Sequence, residues 1–188
     1  MFCDVLVHVL MRWSSFKSLL TCTCVLYAHS CINPYLAYVR RLVVEFNSIV
    51  WSPDTVKDIV ALECVQRRFT KKLPGLFRSC YQDRLRRLQL PSLELRCLYA
   101  DLVWCYKILF GIVYVKSDKF FEFNMRPSRG HQYKLYKNRS VSRVRAAFFS
   151  ERVVNVCNSL PDSVDFSSLS KFRRSVMRVD FSKFLRCF

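Results

Sequence analysis

Along most of the chain, apolar residues recur at three- and four-residue steps rather than in alternation. Ile59, Leu62, Val65 and Phe69 fall on one stripe, and the spacing predicts a helix over 53–73. Ser52 can accept from the free amides of its first turn, Pro53 loses no bond there, and Pro74-Gly75 supplies the stop. A short helix over 81–88 is expected to turn Leu85 and Leu88 inward and Arg84, Arg86 and Arg87 outward, ending before Leu90-Pro91. Ser92 then caps the clearest helix, whose apolar face carries Leu95, Leu98, Tyr99, Leu102, Tyr106 and Leu109 and which closes at Gly111.

Beyond Phe120 the pattern loosens. Arg126-Pro127-Ser128-Arg129-Gly130 reads as a loop, and residues 132–136 alternate like a strand, Tyr133 and Leu135 on one face and Lys134 and Tyr136 on the other. Residues 144–149 are the expected pairing partner. Val153, Val154 and Cys157 predict a helical turn before Leu160-Pro161, and a last helix from Ser168 buries Leu169, Phe172 and Val176. The fold class is therefore mainly α, a small helical bundle with a minor β-hairpin element over 131–149.

Composition supports that reading. An apolar share of 52% with 15% aromatics excludes a disordered chain, and 3 glycines leave little material for the turns of a many-stranded sandwich. Charge adds a partner. Lys+Arg 31 against Asp+Glu 14 gives +17, and residues 1–33 contribute only Arg12, Lys17 and Asp4, so almost all of the excess belongs to residues 34–188. Such an imbalance repels itself unless an anion screens it, which points to nucleic acid.

The cysteines change little. Ten are scattered without paired spacing, so reduced thiols are expected. The cluster Cys22, Cys24, His29 and Cys31 matches no structural zinc spacing, and neither metal nor cofactor is expected. The apolar runs 5–11 and 19–28 are too short to span a bilayer, which argues against a membrane segment. An intracellular location, nuclear or cytoplasmic, fits the basic remainder better than secretion.

Catalytic chemistry finds no support in the sequence. Tyr99-Ala100-Asp101 invites comparison with the Tyr-x-Asp-Asp turn of polymerases, but position 102 is Leu and the segment is helical, so Asp101 is expected to be a surface aspartate. His8, His29 and His131 lack nucleophile partners, and no glycine-rich loop could hold a small phosphorylated substrate. Gly130-His131 reads as loop punctuation, with a phosphate contact as the alternative. Two basic windows carry more information. The first, 66–96, holds Arg67, Arg68, Lys71, Lys72, Arg84, Arg86 and Arg87 among its cations, against Asp83 and Glu94. The second, 126–145, holds Arg129, Lys134 and Arg139 among its cations, has Tyr133 and Tyr136 between them, and contains no acidic residue. Cations interleaved with aromatics suit a phosphate backbone, whereas solvated helix faces usually mix both signs.

Several segments in fixed order carry a resemblance: Tyr38-Val39-Arg40, Glu45 to Pro53 (EFNSIVWSP), Leu62 to Lys71 (LECVQRRFTK) and Pro74-Gly75-Leu76. Tyr81 to Leu85, Leu88 to Glu94 (LQLPSLE), Asp101-Leu102 and Tyr106 to Leu109 with Gly111 follow. Arg129-Gly130-His131, Phe148-Phe149, Arg152 to Asn155 and Asn158 to Pro161 (NSLP) complete the set. Together, over residues 33–181, they resemble the region after the palm of jockey-like, non-LTR (LINE-type) retrotransposon reverse transcriptases.

The resemblance implies a helical thumb-like region over 33–112, a C-terminal subdomain over 113–181, a tail over 182–188 and an unmatched segment over 1–32. It implies an RNA-directed DNA polymerase as parent, with Arg67, Arg68, Lys71 and Lys72 facing the phosphates of an RNA/DNA hybrid. Arg41 departs from the family's usual Pro, and Cys157 stands where Trp is usual. With no palm aspartates in the sequence, the expectation is a truncated, non-catalytic fragment from a decayed copy. A host protein-interaction module derived from the element is the alternative.

Overall fold

Helix boundaries in the computed structural model, which describes residues 32–124 and 130–187, follow local capping chemistry. A π-helical segment, Tyr35–Val44, precedes the short α1, Ser48–Trp51. Helix α2 is Val56–Lys71, later in starting than residue 53. Thr55, not Ser52, caps it: its Oγ1 accepts from the Asp58 amide at 3.2 Å while its hydroxyl donates to the Asp58 carboxylate at 2.6 Å. Helix α3, Tyr81–Leu88, has the expected bounds and ends at Gln89, whose φ of 51° puts it in the left-handed region. Helix α4 is Leu93–Leu109, with Ser92 Oγ accepting from the Leu95 amide and Gly111 at φ 63° just past its end. The short α5, Arg143–Ala146, is followed by α6, Phe149–Asn158, and α7, Leu169–Val176, the last capped by Ser168.

Mainly helical architecture is thus established, while the hairpin over 131–149 is not formed. Residues 143–146 are helical and Phe149 opens α6, so the segment expected to pair is used elsewhere. Among the described residues the only β pairing is an isolated antiparallel bridge between Phe123 and Leu135, with Tyr136 N donating to Glu122 O at 2.7 Å. Leu135 lies in the core and Tyr136 outside, on opposite faces as the alternation implied.

The chain divides into two compact units. The first contains the described residues through Phe46 together with Cys64–Leu90; the second contains Asn47–Glu63 and the chain from Pro91 onward. The sequence-based boundary at residue 112 falls inside the second unit, because α4 packs on α6 and α7 there. The core of the first unit is Ile32, Tyr35, Phe69, Leu73 and Leu76, with Tyr35 stacked on Phe69 at 3.9 Å.

The larger core of the second unit is built by α4, α6 and α7 from Leu102, Tyr106, Val153, Val154, Phe172 and Val176, among others, with Leu160 just past α6. Tyr106 stacks on Phe172 at 4.6 Å, and its hydroxyl donates to the Phe166 carbonyl at 2.9 Å, so a large ring is buried without orphaning its polar end. Cys157 lies 3% exposed in this core, and the six cysteines of the described residues are free thiols.

Candidate nucleic-acid interface

The first unit sorts the LECVQRRFTK segment by face. Val65, Gln66, Phe69 and Thr70 are buried, which leaves Arg68, Lys71 and the following Lys72 exposed. Gln66 fixes that orientation: Tyr35 donates to its Oε1 at 3.4 Å, its Nε2 donates to the Tyr81 hydroxyl at 3.3 Å, and Thr70 donates to its carbonyl at 2.9 Å. A buried amide with partners on both ends pins the helix rotation, so the cations turn outward as a consequence of core chemistry.

In α3, Arg86 and Arg87 are exposed and Asp83, the acidic residue of that helix, lies 3.6 Å from Arg86. Arg84 does not join them. It is 4% exposed, contrary to its expected outward position, and its guanidinium lies over the Tyr81 ring at 5.6 Å from the centroid. The half-buried Arg67 lies over the same ring at 5.0 Å. Of the seven first-window candidates, Arg68, Lys71, Lys72, Arg86 and Arg87 form the exposed set, and Arg67 and Arg84 lie behind it on Tyr81.

The second window is dispersed. Arg129 lies outside the described residues. Lys134 is half-buried, and its Nζ sits 3.1 Å from where a side-chain carbon on Gly130 would lie. Arg139 is exposed on the rim of a 740 Å³ cleft that also takes Lys137 and Arg143. For two members of the window, and for Arg186 beyond it, the fold supplies the anions that the linear window lacks. Arg143 is 3.8 Å from Asp54, Arg145 is 4.0 Å from Glu151, and Arg186 contacts both the carbonyl and the carboxylate of Asp54.

Residues singled out by sequence for chemistry prove structural. Asp101 is 6% exposed, not a surface group: Arg152 Nε and Nη2 donate to its two oxygens at 2.7 and 2.8 Å. The remaining Arg152 bonds reach the carbonyls of Ile49 and Ala147 at 2.7 and 3.0 Å. Burial pushes the Asp101 carboxyl above the usual carboxylate range, with Arg152 pulling the other way. His131 is buried as well. Its Nδ1 accepts from the Tyr133 amide at 3.2 Å, so Nε2 carries the proton and donates to the Cys157 carbonyl at 2.8 Å. Desolvation, with a backbone bond opposing it, holds this imidazole below its ordinary pKa, and both nitrogens are engaged internally rather than offered to a phosphate.

No protein-family model, curated protein or solved structure matches the chain.

Two residues that sequence reasoning passed over hold the frame. Glu63 is fully buried and accepts from the Leu93 amide at 2.9 Å, satisfying a free donor at the first turn of α4. Asn158 brackets Leu135, accepting from its amide and donating to its carbonyl, both at 2.8 Å. Both lie on the buried side of their helices by spacing, Glu63 four residues after Ile59 and Asn158 four after Val154. Among the described residues no group of three metal-binding side chains occurs, and no helix is long and apolar enough to cross a membrane.

Proposed function

We propose that this chain binds nucleic acid through the phosphate backbone, using the exposed cations of α2 and α3, as a non-catalytic counterpart of the region after the palm in a non-LTR retrotransposon reverse transcriptase. The observation that carries the reading is the outward set Arg68, Lys71, Lys72, Arg86 and Arg87, held in place by a buried polar core and faced by the single carboxylate of Asp83 in α3. Contacts of that kind read charge and shape, not sequence. An RNA/DNA hybrid is the ligand that the resemblance suggests. No polymerase or other enzymatic step is proposed, since Asp101, the one residue that invited comparison with a metal-binding aspartate, is committed to Arg152.

A titration of the full chain with an RNA/DNA hybrid over increasing salt tests the reading. Affinity is expected at low salt and is expected to fall linearly on a log–log plot as salt rises. No binding at low salt, or binding indifferent to salt, removes the proposal. A second reading, a protein-interaction module derived from the same element, is favoured by the exposed apolar residues Ile112, Tyr114, Val115 and Phe120 after α4. Self-association of the isolated chain that persists at high salt would support it.

A further inference from the structure

We infer that Arg84 and Tyr81, with Arg67 beside them, form a seat for one phosphate group within the first unit, an inference that rests on the nucleic-acid reading above. Arg84 is 4% exposed, and its Nε has no hydrogen-bond partner. Among the described residues no carboxylate pairs with it. Taking a guanidinium out of water is costly unless a counter-charge or a full set of acceptors replaces the lost hydration. The face of Tyr81, 5.6 Å away, offsets part of that cost but offers the N–H groups no lone pair.

The nearest candidate anion in the same helix is already used: Asp83 lies 3.6 Å from Arg86, and its carboxylate accepts from the Cys80 thiol at 2.9 Å. Arg67, over the same Tyr81 ring at 5.0 Å, adds positive charge instead of balancing it. An oxyanion accepts from a planar fork of donors, the geometry that guanidinium matches in carboxylates and phosphates. Phosphate is the better fit of the two. The neighbouring exposed cations of α2 and α3 suit a polyanion with repeated charges, of which one would enter the seat while the others stay at the surface.

The test uses the full chain with two probes, inorganic phosphate and an RNA/DNA hybrid, and the variants Arg84→Met and Arg84→Lys. Inorganic phosphate is expected to raise the wild-type Tm above that in chloride of equal ionic strength, and Arg84→Met to abolish the rise. Hybrid affinity should drop roughly tenfold in Arg84→Met, with the salt slope smaller by about one. Arg84→Lys, which keeps the charge but not the fork, should lose the phosphate response while still folding; it decides the matter if Arg84→Met does not fold. A phosphate response retained in the folded variants overturns the seat. If hybrid binding survives Arg84→Met unchanged but is lost on reversal of Arg68, Lys71 and Lys72, the seat falls and the nucleic-acid reading stands. If the wild type ignores the hybrid yet shows an Arg84-dependent phosphate response, that reading falls and the seat serves a free phosphate.

Discussion

Both units are rich in arginine and lysine and use them differently. In the first, Arg68, Lys71, Lys72, Arg86 and Arg87 point outward, and their carboxylate neighbour in α3 is Asp83. In the second, Arg143, Arg145, Arg152 and Arg186 each face an acid delivered from elsewhere in the chain: Asp54, Glu151, Asp101 and Asp54 again. A run of residues without an acidic member is therefore not a run without acidic neighbours. Folding brings acids to two cations of the second window, Arg143 and Arg145, and to Arg152 and Arg186 beyond it, and leaves the five first-window cations on the surface.

The sharpest way to break this contrast is to remove Arg152. Arg152→Ala leaves Asp101 buried without its fork and frees the carbonyls of Ile49 and Ala147. The expected loss is about 3–5 kcal/mol of unfolding free energy, read by urea denaturation, because a buried charge is orphaned. A loss below about 1 kcal/mol would mean that the second unit does not depend on its pairs.

Next in size is charge reversal on the first unit. Replacing Arg68, Lys71, Lys72 and Arg86 by Glu should lower hybrid affinity by roughly 100-fold or more at low salt and flatten the salt slope. The unfolding midpoint should barely move, since exposed charges contribute little to stability. Reversal of the exposed Lys171 and Arg173 in α7 is the control, and equal effects from the two sets would dismiss the proposed interface.

Glu63→Gln asks a finer question: whether the carboxylate that accepts from the Leu93 amide acts through its charge at the first turn of α4 or only through the bond. A loss of about 1–2 kcal/mol is expected if charge matters. The smallest effect belongs to His131. Its folded-state pKa is lowered, so between that value and the ordinary one near 6.5 the unfolded chain binds more protons and stability rises with pH. The contribution of the neutral ring is complete above about pH 6.5 and is lost as pH falls below it. A His131→Asn variant should flatten that part of the stability–pH curve, and an unchanged curve would assign the titration to another group.

Helices were legible in the sequence because their ends are written in local chemistry. Ser92, Ser168 and Gly111 act where they stand, through bonds spanning three or four residues. The β pairing was not legible, because a single strand pattern does not name its partner: Leu135 bridges to Phe123, twelve residues earlier, while the expected partner became helix. Arg84 and Asp101 were misplaced for a different reason. Tyr81, Arg84, Leu85 and Leu88 share one helical face, as do Leu98, Asp101, Leu102 and Cys105, so spacing alone put both charges inside. What the spacing did not contain was the identity of the compensating partner, Arg152, fifty-one residues beyond Asp101.

The six free cysteines of the described residues give the molecule an internal clock. Cys97, Cys105 and Cys157 are buried in the second unit, whereas the exposed Cys80 and the half-buried Cys64 belong to the first. Cys105 is further restrained, since its hydrogen bond with Cys157 and its burial hold its thiol well above the ordinary range, and the thiolate is the species that reacts. Alkylation of these six should therefore proceed in stages, Cys80 first, the half-buried Cys64 and Cys187 next, and the buried three only when the second unit opens. The late labelling of the buried three would report the opening of the second unit, without any probe being introduced.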